Sequence, residues 1–297
     1  MTEQELKRYL DIDESELEEF SDEDIEEDFG IEDDWETEPP KKIANIISEQ
    51  NRKILVNVFG DGFDEVEPLE QVGKTPFFYG SLGIAYGVEG SGKSWQLAKL
   101  LGTKTEDSVL VVYLDTDGAN GKKFSEHCKN NKTSYVDFNK LKGIPLSNGK
   151  MLSQSSMRKK SRLKLVELFI SAIARRLKKT KKKLVVVVDS LSSIGEGQAI
   201  NQAQDISPVL YKLDLLGQDT GASIIVIDHT TVKLDDNGDM TSFKLEGNAG
   251  AKRRTTTSTV RYEPKHTDSP QDGGVFTVER SRDTDCFAIG DEYKVLG

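Results

Sequence analysis

The sequence predicts an α/β fold in which helices cover both faces of a mostly parallel sheet. Short runs of continuously apolar residues, such as 184–188 and 223–227, are typical of parallel strands that are buried on both faces. These runs alternate with segments such as 161–179, in which apolar residues recur at helical spacing. The alternation of strands and helices therefore indicates a layered domain around a parallel sheet.

The predicted elements follow in order along the chain. Parallel strands are predicted at four apolar runs, residues 81–86, 108–114, 184–188 and 223–227. Helices are predicted where apolar residues recur at helical spacing, over residues 93–101, 161–179 and 208–216. Antiparallel strands that close the C-terminal end of the sheet are predicted over residues 255–262, 274–280 and 286–290.

Composition excludes several classes of protein. The chain has 297 residues, 36% hydrophobic and 31% charged, which suits one sizeable domain with at most a small second one. Its two cysteines, Cys128 and Cys286, rule out a disulfide scaffold. The longest apolar runs are far shorter than the roughly 20 residues of a membrane helix, and no signal peptide opens the chain. We therefore expect a cytoplasmic protein that has no membrane partner.

The net charge of −11 is concentrated at one end of the chain. Residues 1–40 hold 19 Asp or Glu against Lys7 and Arg8, so the remainder carries a formal charge of +6. We expect residues 1–42 to form a disordered acidic arm, residues 43–75 a lead-in segment and residues 76–297 the folded core. Scattered apolar residues such as Phe20 and Trp35 leave open whether the arm is a solubilising tail, docks on a protein partner, or masks the chain's own basic surface.

The segment after the first predicted strand fits the pattern G-x-x-x-x-G-K-[ST] in full. Its residues are Gly87, Val88, Glu89, Gly90, Ser91, Gly92, Lys93 and Ser94. In such a loop the backbone N–H groups surround phosphates, the lysine reaches the β and γ oxygens, and the final hydroxyl binds Mg²⁺. Because the segment lies between a predicted strand and a predicted helix, we predict a site for ATP and Mg²⁺.

Acidic residues follow two of the predicted strands. Asp189 ends the run 184–188, where a carboxylate can reach the phosphate-bound Mg²⁺. Asp115 and Asp117 follow the strand 108–114, and each can orient the attacking water or cap the turn. Strand ends at this edge of a parallel sheet surround the ligand crevice, so we expect the chemistry there.

Taken together, these blocks resemble the RecA-type ATPases, the superfamily of RecA and RadA recombinases and of the ring-shaped DnaB and RepA helicases. Beyond the phosphate loop, the resemblance rests on the order of four blocks, residues 113–118, 188–191, 227–233 and 244–251. It implies a RecA-like P-loop core that hydrolyses ATP and acts on DNA. It also implies that Asp117 takes the place of the catalytic glutamate and His229 that of the γ-phosphate sensor.

The chain departs from the family's pattern in three respects. Asp117 is one methylene shorter than glutamate, His229 stands where recombinases have glutamine and helicases have histidine, and no accessory domain is apparent. A core with only a short appendage resembles compact phage and plasmid proteins, for which the bacterial host cytoplasm is the expected location.

The resemblance further implies a homo-oligomer, either a ring or a filament, with the nucleotide at a subunit boundary. A basic residue of the neighbouring subunit then reaches the γ-phosphate, and the candidates for this trans finger are Lys252, Arg253 and Arg254. The alternative is that these residues contact DNA phosphates or solvent.

Single-stranded DNA is the partner that the resemblance implies, bound by the loops after Asp189 and Asp228. In the second loop the candidates are Lys233, Phe243 and Lys244, since cationic groups and an aromatic stacking surface are usual for single strands. Residues 158–183 hold 12 Lys or Arg. That run is either a solvated helix face or a docking strip for nucleic acid or for the arm.

Three functions fit these expectations. The first is a replication or recombination motor, helicase-like because of His229. The second is a protein that anneals or coats strands with weak hydrolysis, which Asp117 and the missing accessory domains favour. The third is a nucleotide-dependent regulatory switch that resembles KaiC and acts without DNA.

Overall fold

A computed structural model describes residues 17–18, 69–195, 203–234, 240–245, 249–266, 272–282 and 287–296. Apart from Leu69, these residues belong to one compact unit, Met1–Phe20 with Glu70–Gly297, while Ser21–Leu69 is a second unit. Of the arm predicted over residues 1–42, only residues 17–18 are described, and of the lead-in only residues 69–75. Among the described helices, none is long and apolar enough to cross a membrane.

The described elements are numbered here along the chain. The strands are β1 (Leu17–Glu18), β2 (Ser81–Gly87), β3 (Val109–Asp115), β4 (Thr133–Asp137), β5 (Gly143–Pro145), β6 (Met151–Ser153), β7 (Lys183–Asp189), β8 (Ser223–Leu234), β9 (Met240–Leu245), β10 (Ser258–Pro264), β11 (Gly273–Ser281) and β12 (Glu292–Leu296). The helices are α1 (Lys93–Lys104), α2 (Lys122–Asn130), α3 (Gln154–Met157), α4 (Arg162–Lys178), α5 (Leu191–Ile194), α6 (Ala203–Thr220) and α7 (Ala249–Thr255).

A large mixed sheet lies at the centre of this unit. Its strands have the order β12-β11-β10-β2-β8-β7-β3-β4, and β9 pairs with β8 outside that path. From β10 to β4 every neighbouring pair is parallel, whereas β11, β12 and β9 join in antiparallel fashion. Strand β2 is buried throughout and β7 is buried except at Lys183. Burial on both faces explains why these strands are continuous apolar runs.

Helix α4 shows how local sequence and packing cooperate in the helical layers. Its N-cap is Ser161, whose side chain accepts a hydrogen bond from the backbone N–H of Lys164 at 3.1 Å. Such a cap satisfies one of the donors left open at a helix start. One face of the helix is buried, and it includes Leu165, Phe169 and Ile173.

A second, three-stranded sheet has the order β1-β6-β5. Strands β5 and β6 form an antiparallel hairpin, and β1 pairs with β6 in parallel. Leu17 lies opposite Met151 and Glu18 lies opposite Leu152. Part of the acidic arm is therefore paired through its backbone with the folded core.

The predicted fold class is confirmed, with two corrections at the C-terminal end. Strand β10 is antiparallel only to β11, since on its other side it pairs in parallel with β2. The last strand is β12 and not the predicted segment 286–290, of which residues 287–290 form no strand. The N–H of Asp291 donates to the carbonyl of Ala288 at 3.2 Å, and Gly290 has φ of 96°, so a turn occupies this position.

Candidate functional site

The phosphate loop predicted from the sequence joins β2 to α1. Two of its glycines have positive φ, 74° at Gly90 and 82° at Gly92. A Cβ at Gly87 would lie 2.9 Å from the carbonyl oxygen of Tyr262 on β10. A side chain at these positions would be strained or would collide with the neighbouring strand, so the loop needs glycine there.

The ammonium of Lys93 is buried beside neutral partners. Lys93 is 5% exposed, and its Nζ lies 3.5 Å from the carbonyl oxygen of Val88 and 3.2 Å from Nδ1 of His229. Burial lowers the pKa of Lys93, although the carboxylates of Asp189 and Asp228 act in the opposite direction. A buried cation whose hydrogen-bond partners among the described residues are neutral is well suited to receive an anion.

His229 reaches Lys93 because of the strand register. In the parallel pairing of β2 with β8, His229 lies opposite Gly87, the first residue of the phosphate loop. A lysine ammonium can only donate, so Nδ1 of His229 is the acceptor of this contact. His229 thus touches the phosphate loop from the strand that continues into the β8–β9 hairpin.

One carboxylate oxygen of Asp189 accepts three hydrogen bonds. Its Oδ2 accepts from the hydroxyl of Ser94 at 3.0 Å, from the amide of Asn120 at 3.4 Å and from the hydroxyl of Tyr113. Burial raises the pKa of Asp189, against the hydrogen bonds from Tyr113 and Ser94, which lower it. The predicted metal ligands Ser94 and Asp189 are therefore in direct contact.

The structure separates the roles of the two acidic residues that follow β3. Asp115 is fully buried and accepts from the N–H of Gly118 at 2.8 Å, the N–H of Asn120 at 3.0 Å and the hydroxyl of Tyr135 at 2.7 Å. It caps the turn. Asp117 is exposed and accepts a hydrogen bond from the hydroxyl of Ser190 at 2.9 Å. Because Ser190 directly follows Asp189, Asp117 lies beside the predicted metal site.

The three finger candidates have different surroundings. Lys252 is fully buried, and its Nζ lies 2.6 Å from Oδ2 of Asp228, which is 3% exposed. A side chain held in this way inside its own subunit is not free to reach a neighbouring one, which argues against Lys252 as a finger. Arg253 is partly exposed and pairs with Glu279 at 2.7 Å, whereas Arg254 is exposed.

The DNA-binding candidates fall on a hairpin and not on an irregular loop. Strands β8 and β9 place Lys233 opposite Ser242, Val232 opposite Phe243 and Thr231 opposite Lys244. The tip of this hairpin, residues 235–239, lies outside the described residues. In the first predicted loop, residues 191–194 form α5, and residues 196–200 lie outside the described part of the chain.

Three polar contributors to this site were missed in the sequence. Tyr113 lies inside the apolar run 108–114, which predicts only a strand, and Asn120 and Ser190 have no spacing that singles them out. Each touches an acidic residue that belongs to a different element. The only local signal is their position just before or just after the end of a strand, at the edge where ligands bind.

The residues present fit a magnesium nucleotide. The hydroxyl of Ser91 in the phosphate loop is buried and has no hydrogen-bond partner among the described residues. The hydroxyl of Ser94 and the carboxylate of Asp189 are oxygen ligands of the kind that Mg²⁺ prefers. With the buried cation of Lys93, this edge of the sheet carries groups that can bind both the phosphates and the metal.

Comparison with protein-family models gives a match. A family model described as an AAA domain matches residues 49–234. This range is more than half of the chain, and it contains the phosphate loop together with Asp117, Asp189 and His229. No curated protein matches the chain.

Proposed function

The chain belongs to the AAA domain family, and on that premise we propose that it is an ATPase that binds single-stranded DNA and works as an oligomer. Its fold is a RecA-like P-loop core. The family supports a P-loop ATPase in general. The DNA partner, the oligomer and a helicase-like role in replication or recombination are the parts that we propose.

One observation supports the coupling of nucleotide to DNA most directly. His229 touches Lys93 of the phosphate loop at 3.2 Å, and the same strand continues as the hairpin that bears Lys233, Phe243 and Lys244. Strand β8 is thus a continuous backbone connection between the nucleotide and the hairpin. A change at the γ-phosphate would alter the partner of Lys93 and, through His229, the start of the hairpin.

Different residues of the chain have different roles in hydrolysis. The loop N–H groups and Lys93 would hold the phosphates, and Ser94 and Asp189 would hold Mg²⁺, which would neutralise charge on the phosphate oxygens. Asp117, exposed and fixed by Ser190, orients the attacking water. Arg253 or Arg254 of a neighbouring subunit stabilises the charge that develops on the transferred phosphoryl group, an effect worth about 10³ or more in rate.

The test is steady-state ATP hydrolysis with and without single-stranded DNA, with Lys93→Ala as the blank. We expect DNA to stimulate hydrolysis about tenfold or more, which corresponds to about 1.4 kcal/mol off the barrier. In the double variant Lys233→Ala/Lys244→Ala the basal rate should persist while the stimulation falls. Lys104→Ala/Lys129→Ala removes two exposed lysines outside the hairpin and outside the basic run 158–183, and is the matched control.

Each result has a distinct meaning. Hydrolysis that requires Lys93 but ignores DNA would contradict the DNA-coupled part of the proposal and favour the regulatory switch. DNA binding with hardly any hydrolysis would favour annealing or strand coating. Equal loss of stimulation in both double variants would mean that the hairpin is not the DNA contact.

A further inference from the structure

A cavity of about 370 Å³ lies away from the phosphate loop, between the β5–β6 region and the start of α4. Its apolar part is formed by Phe138, Leu141, Met157 and Leu165. Three cationic side chains also line it, Arg158, Lys160 and Arg162. This combination suits an extended segment that carries both an apolar side chain and carboxylates.

The basic run 158–183 is not one continuous strip in the folded protein. Helix α4 has 17 residues and is therefore about 25 Å long. It separates a cluster at the cavity, residues 158–162, from a second exposed cluster, residues 178–183. Between them Arg175 donates to the carbonyl of Pro145 on β5 at 3.2 Å. Charge alone does not distinguish the two clusters, whereas only the first is accompanied by the cavity.

The acidic arm is already paired next to this cavity. Leu17 and Glu18 pair with Met151 and Leu152 of β6. Because the pairing is parallel, the arm leaves Glu18 in the direction in which β6 runs into α3. Gln154, the first residue of α3, lines the cavity. A parallel register that continued for two more residues would bring Glu19 level with Ser153 and Phe20 level with Gln154.

From this geometry we propose that the cavity and the β6 edge form a docking site for residues 16–20 of the same chain. Leu17 and Glu18 bind through backbone pairing along β6. Phe20 enters the apolar part of the cavity, and Glu19 meets the cationic side chains of Arg158 and Lys160. The proposal requires neither nucleotide nor DNA, so it can fail or succeed independently of the proposed function.

The site also connects with the ATPase edge. Arg162, which lines the cavity, donates from Nη1 to the carbonyl of Thr116 at 2.5 Å. Thr116 lies between Asp115 and Asp117, and its hydroxyl donates to the carbonyl of Asp189 at 2.8 Å. An occupant that draws Arg162 toward its own carboxylates would weaken this contact beside Asp117.

Zero-length carbodiimide cross-linking of the full-length chain tests the docking, because it joins carboxylates only to lysine amines within contact distance. We expect Glu18 or Glu19 to couple to Lys159 or Lys160 in preference to the exposed lysines at 178–183. Phe20→Ala should reduce this cross-link at least threefold, whereas Phe29→Ala, the matched change outside the docking segment, should not. Both substitutions lie in the arm, so we expect the folded core to be unaffected.

Mixed ¹⁴N and ¹⁵N protein identifies the source of the arm. Cross-links confined to a single isotope support docking within one chain. Hybrid cross-links would overturn it in favour of the arm of a second copy. Equal coupling to the two lysine clusters, or a cross-link that Phe20→Ala and Phe29→Ala reduce alike, would show a diffuse charge attraction and would also overturn the proposal.

Discussion

The carboxylate of Asp228 holds two parts of the site together. One oxygen pairs with the buried ammonium of Lys252 at 2.6 Å, and the other accepts the backbone N–H of His229 at 2.9 Å. Lys252 is on α7, beside the finger candidates Arg253 and Arg254. The pair therefore attaches α7 to the strand position from which His229 reaches Lys93.

Removing one partner of this pair should destabilise the protein strongly. We expect Lys252→Met to lower the free energy of unfolding by about 3–5 kcal/mol, because it leaves the buried carboxylate of Asp228 without its ion-pair partner. Urea unfolding measures the change. Arg254→Met on the same helix alters an exposed residue and should change the free energy of unfolding by no more than about 0.5 kcal/mol.

A second substitution checks the reason for this loss. Adding Asp228→Asn to Lys252→Met removes the uncompensated charge while it keeps an acceptor for the N–H of His229. The double variant should be more stable than Lys252→Met alone. If it is equally unstable, lost packing and not the buried charge explains the effect.

At the scale of elements, helix α4 contains one buried carboxylate, whereas its other charged residues are all basic. Glu167 is 7% exposed, and its Oε2 lies 3.9 Å from Nζ of Lys164. Burial raises the pKa of Glu167, although Lys164 and Lys212 act in the opposite direction. A carboxyl with a raised pKa binds its proton more tightly in the folded protein than in the unfolded chain. Its ionisation therefore reduces stability as pH rises.

Glu167→Gln should remove this loss of stability, and the size of the gain should depend on pH. The folded-state pKa of Glu167 is raised. The loss of unfolding free energy is therefore absent below the pKa of Glu167 in the unfolded chain and complete above its pKa in the folded protein. We expect the variant to be more stable than the parent by about 1 kcal/mol at pH 7 and to lose that advantage toward pH 4. Urea unfolding across this range measures it, and an advantage that grows as pH falls would contradict the assignment.

Which elements could be predicted depended on how local their signals are. Strands β2, β3 and β7 and helix α4 were predicted to within about two residues at each end, which is the usual uncertainty of helix and strand ends. Strand β8 extends seven residues beyond its predicted end at residue 227. Helix α2 and strands β4, β5, β6 and β9 were not predicted. Strands β5 and β6 have only three residues each, and α2 and β9 are partly polar. Strand β4 pairs with β3, from which helix α2 separates it in the sequence.

At the scale of the whole molecule, the proposed subunit boundary can be tested with two inactive proteins. Lys93→Ala has a defective phosphate loop and intact arginines, whereas Arg254→Ala has the reverse. If Arg254 acts in trans, a mixture of equal parts should show about a quarter of the activity of the unmodified protein. One subunit boundary in four then joins an intact phosphate loop to an intact arginine. Steady-state ATP hydrolysis of the mixture measures this recovery.

The same mixture made with Arg253→Ala compares the two remaining finger candidates. Recovery with only one of the two variants would assign the finger. Mixtures that never exceed the average of their components would exclude an arginine finger at these positions, and size-exclusion chromatography would show whether mixed oligomers had formed. The ion pair of Arg253 with Glu279 makes Arg254 the candidate that can move with less cost.

The sequence by itself determined the fold class, the phosphate loop and the ends of β3 and β7, close to which Asp117 and Asp189 lie. These features are local, because a run of apolar residues or a glycine at positive φ constrains the backbone wherever it occurs. Only the tertiary structure decided that Lys252 is buried against Asp228, that Asp115 caps a turn while Asp117 is exposed, and that the basic run is two clusters. Such outcomes depend on burial and on contacts between distant segments, which residue type and spacing do not specify.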